Sequence, residues 1–103
     1  MTFVNAGWIG VLPGRAADLI AHLTAPSTEL AAVGCLQYDV GTSDEEPDRV
    51  YVVERWTSAQ AHRDSLQLES VQAAIAAARP WMSGEFGGFR FDVAGSPLVA
   101  PAE

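Results

Sequence analysis

The residues best suited to chemistry lie in one stretch, Arg49–His62, where an apolar strand ends and a helix begins. Trp56 closes the strand, Thr57 or Ser58 opens the helix, and the helix carries the polar residue His62. An indole offers a flat apolar wall with one N–H donor, and an imidazole exchanges a proton near neutral pH. Such a strand end is a place where a small-molecule pocket can form, so this stretch is the first candidate for a site.

Two further polar residues could join Trp56 and His62 in a pocket. Asn5 interrupts an apolar strand, where it either donates its amide N–H to a developing oxyanion or is satisfied locally. Glu54 shares the strand face of Trp56, and it either enters the pocket or pairs with an arginine. Trp56 could equally belong to the core, and His62 is either an exposed helix residue or the general acid or base of a reaction.

Three residues further along the chain could complete the pocket. Arg79 ends a helical run, where it could hold an anionic oxygen or only interact with the helix dipole. Trp81 and Phe86 lie in the glycine-rich stretch 81–88, which we predict to be a loop that could act as a lid. The two aromatic side chains could form the mouth of the pocket, although Trp81 could instead cover the edge of the core.

Hydrophobic periodicity predicts elements in the order β-α-β-β-α-β. Apolar residues at helical spacing mark a first helix that begins near Ala16 and is ended by Pro26. Thr57 with Gln60 has the spacing of a capping box for the later helix, which we expect to break near Gln67. The predicted strands are residues 3–12, 35–40, 49–56 and 89–93, with a polar connection at 41–48 and a second helical run from 68 to 79.

This order of elements is that of a ferredoxin-like α+β fold, a four-stranded antiparallel sheet with helices on one face. The first and third strands carry apolar residues on both faces, so we expect the face without helices to meet another sheet. The simplest solution is a symmetric homodimer. A chain of 103 residues has room for one domain, which we place at residues 1–93, followed by an extended tail at 94–103.

The composition argues against several kinds of partner. A formal charge of −7 disfavours nucleic acid and anionic membrane surfaces, and no apolar run is long enough to span a bilayer. All basic residues other than histidine are arginine, which leaves no lysine for a Schiff base. Two histidines without Cys or carboxylate at ligand spacing predict no metal site. A single cysteine and the lack of a signal-peptide pattern favour a reducing cytoplasm.

Three motifs coincide with the predicted elements, namely Gly34–Val40, Tyr51–Ala61 and Leu68–Ala73. Through them, residues 3–93 resemble the antibiotic biosynthesis monooxygenase family, whose members are dimeric α+β barrels. That family includes quinone-forming monooxygenases, members that degrade signalling molecules and haem-degrading relatives. The resemblance therefore implies a homodimer that takes a small aromatic or hydrophobic molecule, and it leaves the reaction open.

Within the family, the opening of the chain is most similar to the anthrone-oxygenase type. The resemblance implies that Asn5 and Trp56 face the substrate and that His62 replaces an aromatic hydroxyl of some members. Val52 stands where a second asparagine is common. The implied activity is a cofactor-independent monooxygenase that oxidises an aromatic, quinol-like or polyketide-type molecule with O2. The alternatives are a non-catalytic binding barrel and a proton-transfer enzyme of the isomerase or cyclase kind.

Overall fold

The fold is described for residues 1–98 in a computed structural model. Its elements follow the predicted order β-α-β-β-α-β, with each helical segment divided in two, the later one near residue 67 as expected. A 3₁₀ turn at Arg79–Trp81 leads into the last strand. In chain order the elements are β1 (Phe3–Val11), α1 (Ala16–Leu23), α2 (Thr28–Ala32), β2 (Cys35–Ser43), β3 (Glu46–Trp56), α3 (Ala59–Ser65), α4 (Glu69–Ala78) and β4 (Met82–Asp92).

The four strands form one antiparallel sheet in the order β2-β3-β1-β4. The two central strands, β1 and β3, carry Asn5, Glu54 and Trp56, whereas β2 and β4 form the edges. This is the topology of a ferredoxin-like α+β fold, so the predicted fold class is confirmed. The polar connection is shorter than expected, because β2 and β3 pair as far as Ser43 opposite Glu46.

The core lies between the sheet and the helices. Leu19 of α1 and Val50 of β3 are completely buried, and Val11 and Ala78 complete their cluster. The rest of the predicted α1 stripe packs on this cluster, namely Ala16, Ile20 and Leu23. Burying one such leucine contributes about 1.5–3 kcal/mol, so the cluster holds α1 firmly on the strands that position the candidate site.

The N-cap of α3 lies one residue later than predicted. Ser58, in an extended conformation, accepts a hydrogen bond on its hydroxyl oxygen from the Ala61 N–H at 3.0 Å. Gln60 does not return to the cap, because its amide donates to Asp64. The assignment of Thr57 as N-cap is therefore wrong. Adjacent threonine and serine both suit a cap, and only the path of the backbone leaving β3 selects between them.

The glycine-rich stretch predicted to be a loop is mostly strand. β4 begins at Met82 and pairs with β1, with a register shift opposite Ile9–Val11. A Cβ at Gly7 of β1 would overlap the carbonyl oxygen of Gly87, so glycine allows the two strands to approach closely here. The loop prediction failed because glycine, which usually interrupts strands, serves in this case to bring two of them together.

The sheet face opposite the core exposes large apolar side chains. Val53, Phe89 and Phe91 are 42%, 65% and 47% exposed, and cross-strand register places all three on this face. The Phe89 and Phe91 rings stack with their centroids 6.2 Å apart. Nearby, the Arg49 guanidinium lies 3.8 Å from the centroid of the Trp8 ring. We call Val53, Phe89 and Phe91 the apolar sheet face.

The chain after β4 has no regular structure up to residue 98. The Val93 N–H donates to the Thr2 carbonyl oxygen at 2.8 Å, which ties the end of β4 to the start of β1. Residues 99–103 of the predicted tail lie outside the described residues, so the domain boundary near residue 93 stays a prediction. None of the helices in residues 1–98 combines the length and apolar character that a membrane span requires.

Candidate active site

Glu54 is the centre of a polar cluster on the helix-covered face of the sheet. Cross-strand register places Asn5 of β1 directly opposite Glu54 of β3, and Trp56 follows two residues later on the same face. The Asn5 amide Nδ2 donates to Glu54 Oε2 at 2.8 Å, and the Trp56 indole Nε1–H donates to Oε1 at 3.2 Å. Each carboxylate oxygen therefore has its own donor. Within residues 1–98 Glu54 pairs with no arginine, which corrects the alternative drawn from its sequence.

His62 lies behind this carboxylate, away from solvent. Its side chain packs between the rings of Phe3 and Trp56, with centroid distances of 5.5 Å to each. His62 is only 8% exposed and Trp56 is 1% exposed, so both belong to the buried side of the cluster. The His62 Nε2 is 4.0 Å from Glu54 Oε1, which is too long for a hydrogen bond.

Burial controls the protonation of two side chains near Glu54. It lowers the pKa of His62; the Glu54 carboxylate opposes this effect, and two nearby arginines add to it. Burial also raises the pKa of the Tyr38 hydroxyl, and the charges of Glu54 and Cys35 add to that effect. The imidazole is therefore neutral and the phenol protonated at neutral pH.

An open groove of about 680 Å³ lies along β1 and β4 beside this cluster. Glycines line much of its middle, so no side chains project from those positions. The groove suits a flat molecule with a polar group at one end and an apolar body. Its polar end is formed by Asn5, Tyr38, Glu54 and Arg90, and its apolar end by Ile9, Val52, Met82 and Phe86.

The structure brings five of the seven candidate residues together. Asn5, Glu54 and Phe86 line the groove, and Phe86 is 80% exposed at its rim. Trp56 and His62 contact the cluster from the buried side and do not line the groove. The indole N–H that could have met a substrate is used instead to hold the Glu54 carboxylate.

The other two candidates lie away from the groove. Arg79 is exposed at the end of α4. Trp81 packs against the core cluster, and its ring meets that of His22 edge-on with centroids 5.6 Å apart. The 3₁₀ turn after α4 directs the indole inward, so Trp81 covers the core edge. No group of three or more His, Cys, Asp or Glu side chains in the described part of the chain is arranged to hold a metal ion.

Sequence reasoning missed two residues of the polar end, Tyr38 and Arg90. Alternation along β2 places Tyr38 on the face of Val40, but it does not show that this face reaches Glu54. Arg90 is flanked by Phe89 and Phe91 and therefore points to the opposite face from them, and its pairing with Asn5 depends on the register of β4. Arg90 could have been found from its position as the single charged residue between two aromatic residues of a predicted strand.

Comparison with known families agrees with this architecture. The model of the antibiotic biosynthesis monooxygenase family matches residues 2–77, from the start of β1 to nearly the end of α4. A comparison with curated proteins found no match.

Solved structures extend the likeness over almost the whole chain. A protein of Chloroflexus aurantiacus J-10-fl that bears the family's name is 30% identical, with a TM-score of 0.79 and coverage of 97% of this chain and 100% of that one. Another of that name, from Caulobacter crescentus CB15, is 25% identical, with a TM-score of 0.75 and 91% coverage of each chain. A third, from Bordetella bronchiseptica, shares the fold at 21% identity, with a TM-score of 0.77 and coverage of 90% and 97%. The family match over most of the chain shows that this protein belongs to the antibiotic biosynthesis monooxygenase family.

Proposed function

We propose that the protein is a monooxygenase that uses O2, without metal or flavin, to oxidise an aromatic, quinol-like or polyketide-type small molecule. Membership of the family supports a monooxygenase-like activity. The observation that carries the proposal is the Glu54 carboxylate, which lines the groove and has both oxygens oriented by N–H donors. A carboxylate held in this way is suited to remove a proton from a substrate lying in the groove.

The chemistry requires a substrate that can itself supply electrons. O2 is a triplet and reacts slowly with neutral closed-shell molecules, whereas the anion of a phenol or ring ketone can transfer an electron to it. Glu54 would take a proton from an activated CH2 group, and the resulting carbanion would transfer one electron to O2. Recombination of the substrate radical with superoxide forms a C–O bond, and the resulting peroxide anion takes the proton back from Glu54. Loss of water then converts the CH2 group to a carbonyl, so one oxygen atom enters the product and the other leaves as water.

The buried neighbours of Glu54 have supporting roles in this proposal. Trp56 orients the carboxylate through its N–H, and Asn5, which has a second amide hydrogen, both orients Glu54 and reaches the groove. His62 was the base expected from the sequence. Its burial and its 4.0 Å distance from Glu54 favour a positioning role, and the groove-lining carboxylate takes the role of base.

The test is O2 uptake by protein that has been freed of metal and flavin, with anthrone as the substrate. We expect Glu54→Gln to lower the rate by at least about 100-fold, because a general base contributes about 10²–10⁴-fold. Glu46→Gln, in the exposed β2–β3 hairpin, is the matched control and should keep the wild-type rate. An equal rate in Glu54→Gln would contradict the role of Glu54. No uptake by wild-type protein with anthrone and a panel of phenols would contradict the oxygenase itself.

A proton-transfer reaction is the second candidate, because the same oriented carboxylate serves it equally well. An isomerase- or cyclase-like enzyme would convert substrate without consuming O2. Turnover under argon at the aerobic rate would favour this candidate over the oxygenase. Thermal stabilisation by aromatic ligands with no turnover in either gas would instead indicate a binding protein.

We also propose that the protein is a homodimer joined through its apolar sheet face. Val53, Phe89 and Phe91 form a patch opposite the core, and aromatic side chains exposed to this degree usually mark an interaction surface. A second copy is a partner whose polarity matches such a patch, since a two-fold axis brings apolar side chains against apolar side chains.

A further inference from the structure

Arg90 is the arginine at the polar end of the groove, and it has no side-chain partner in residues 1–98. Four of the chain's six arginines make a side-chain contact there, namely Arg15, Arg49, Arg55 and Arg63. The remaining two are both exposed, but Arg79 lies away from the groove, whereas Arg90 lines it. A guanidinium with free donors at the wall of a groove is therefore a feature of the site itself.

The register of the sheet explains why Arg90 does not neutralise Glu54. Glu54, Asn5 and Arg90 form one row across β3, β1 and β4, with Asn5 between the two charged residues. Neighbouring strands lie about 4.8 Å apart, so the Glu54 and Arg90 backbones are separated by about 10 Å. Hydrogen bonds from Asn5 and Trp56 orient both carboxylate oxygens, and each oxygen keeps a further lone pair for a molecule in the groove. Asn5 thus keeps the Glu54 carboxylate and the Arg90 guanidinium apart on the same side of the groove.

Arg90 is a positive group on a protein whose overall charge is negative. The chain carries a formal charge of −7, so its surface as a whole repels anions. An unpaired guanidinium presents several N–H donors in a planar fork that matches a carboxylate or an ionised hydroxyl. In the groove it is the positive group available to an anion, with the apolar end formed by Val52 and Phe86 beyond it.

We propose that Arg90 binds an anionic oxygen of the substrate, so that the natural substrate is an aromatic molecule carrying an acidic group. This inference rests on the proposed function in one respect, namely that the groove is the substrate site. A carboxylate would anchor the molecule, and an ionised phenol or enol would place negative charge where Arg90 stabilises it. In both cases the aromatic body extends toward the apolar end.

The test measures binding, so that it does not depend on turnover. Dissociation constants are determined by calorimetry for two pairs of probes, 2-naphthoate against 2-naphthamide and 2,4-dinitro-1-naphtholate against its methyl ether. The first pair tests a carboxylate and the second an ionised phenol. The proteins are the wild type, Arg90→Gln, Arg90→Lys and Arg79→Gln, the last being a matched loss of one arginine outside the groove.

We expect the wild type to bind at least one anion about tenfold or more tightly than its neutral partner. Arg90→Gln should abolish this preference, Arg90→Lys should keep part of it because the charge remains, and Arg79→Gln should keep all of it. A wild type that binds neither anion, or binds anion and neutral partner equally, overturns the proposal, as does an unchanged preference in Arg90→Gln. Binding of an anion without O2 uptake would contradict the oxygenase and leave the role of Arg90 intact. O2 uptake that Arg90→Gln does not change, together with equal binding of the anion and the neutral probe, would contradict the role of Arg90 and leave the oxygenase intact.

Discussion

At the scale of single residues, the site is organised by what holds Glu54. Asn5 and Trp56 carry the donors expected to meet a substrate, yet both use an N–H to orient the carboxylate. The residue types were predictable, because an amide and an indole in apolar strands need partners for their polar atoms. Their partner was not predictable, since it depends on Asn5 lying directly opposite Glu54 on the neighbouring strand.

His62 should make the stability of the protein depend on pH. Burial lowers its pKa in the folded protein, so the unfolded chain binds the proton more readily. Neutral His62 therefore makes its full contribution to the free energy of unfolding above the ordinary histidine pKa of about 6.5. This contribution is lost as the pH falls below that value. We expect wild-type protein to lose more stability than His62→Gln between pH 7.5 and pH 5 in urea denaturation.

Carboxylates elsewhere also titrate on acidification, so the informative quantity is the difference between these two proteins. Gln60→Ala, on the exposed side of the same helix, serves as a control and should follow the wild-type dependence. Identical pH profiles for wild type and His62→Gln would show that His62 does not carry the effect.

At the scale of elements, substitutions at the N-terminus of α3 show whether Ser58 or Thr57 is the N-cap. Ser58→Ala removes the acceptor of the Ala61 N–H and should lower the free energy of unfolding by about 0.5–2 kcal/mol. Thr57→Ala removes no capping bond and should have a clearly smaller effect. Urea denaturation of both variants measures the difference, and a larger loss in Thr57→Ala would restore the original assignment.

The contact between β1 and β4 depends on glycine. Gly7→Ala places a methyl group against the carbonyl oxygen of Gly87, and the backbone must move to accept it. We expect a loss of about 1–3 kcal/mol, typical of overpacking. Gly41→Ala in β2 is the matched control, since nothing lies within 4 Å of its added Cβ, and it should be neutral or slightly stabilising. Equal melting temperatures for the two variants would contradict the close packing of β4 on β1.

At the scale of the whole molecule, the apolar sheet face predicts the oligomeric state. Wild-type protein at micromolar concentration should have the mass of a dimer by light scattering. Phe89→Glu buries a charge in the proposed interface and should yield a monomer. Leu66→Glu, a similarly drastic change at an exposed position after α3 on the helix side, should remain dimeric. A monomeric wild type would refute the proposed dimer.

The sequence by itself determined the class of the fold, the order of its elements and the part of the chain that holds Glu54, Trp56 and His62. These follow from hydrophobic periodicity, which is local and readable along the chain. Tertiary structure alone decided which side chains meet. In the folded chain Trp56 and His62 are buried, Trp81 packs at the edge of the core, and Arg90 lies beside Asn5. The physical reason is strand register, because a shift of one residue exchanges the two faces of a sheet, and register is fixed by packing between distant segments.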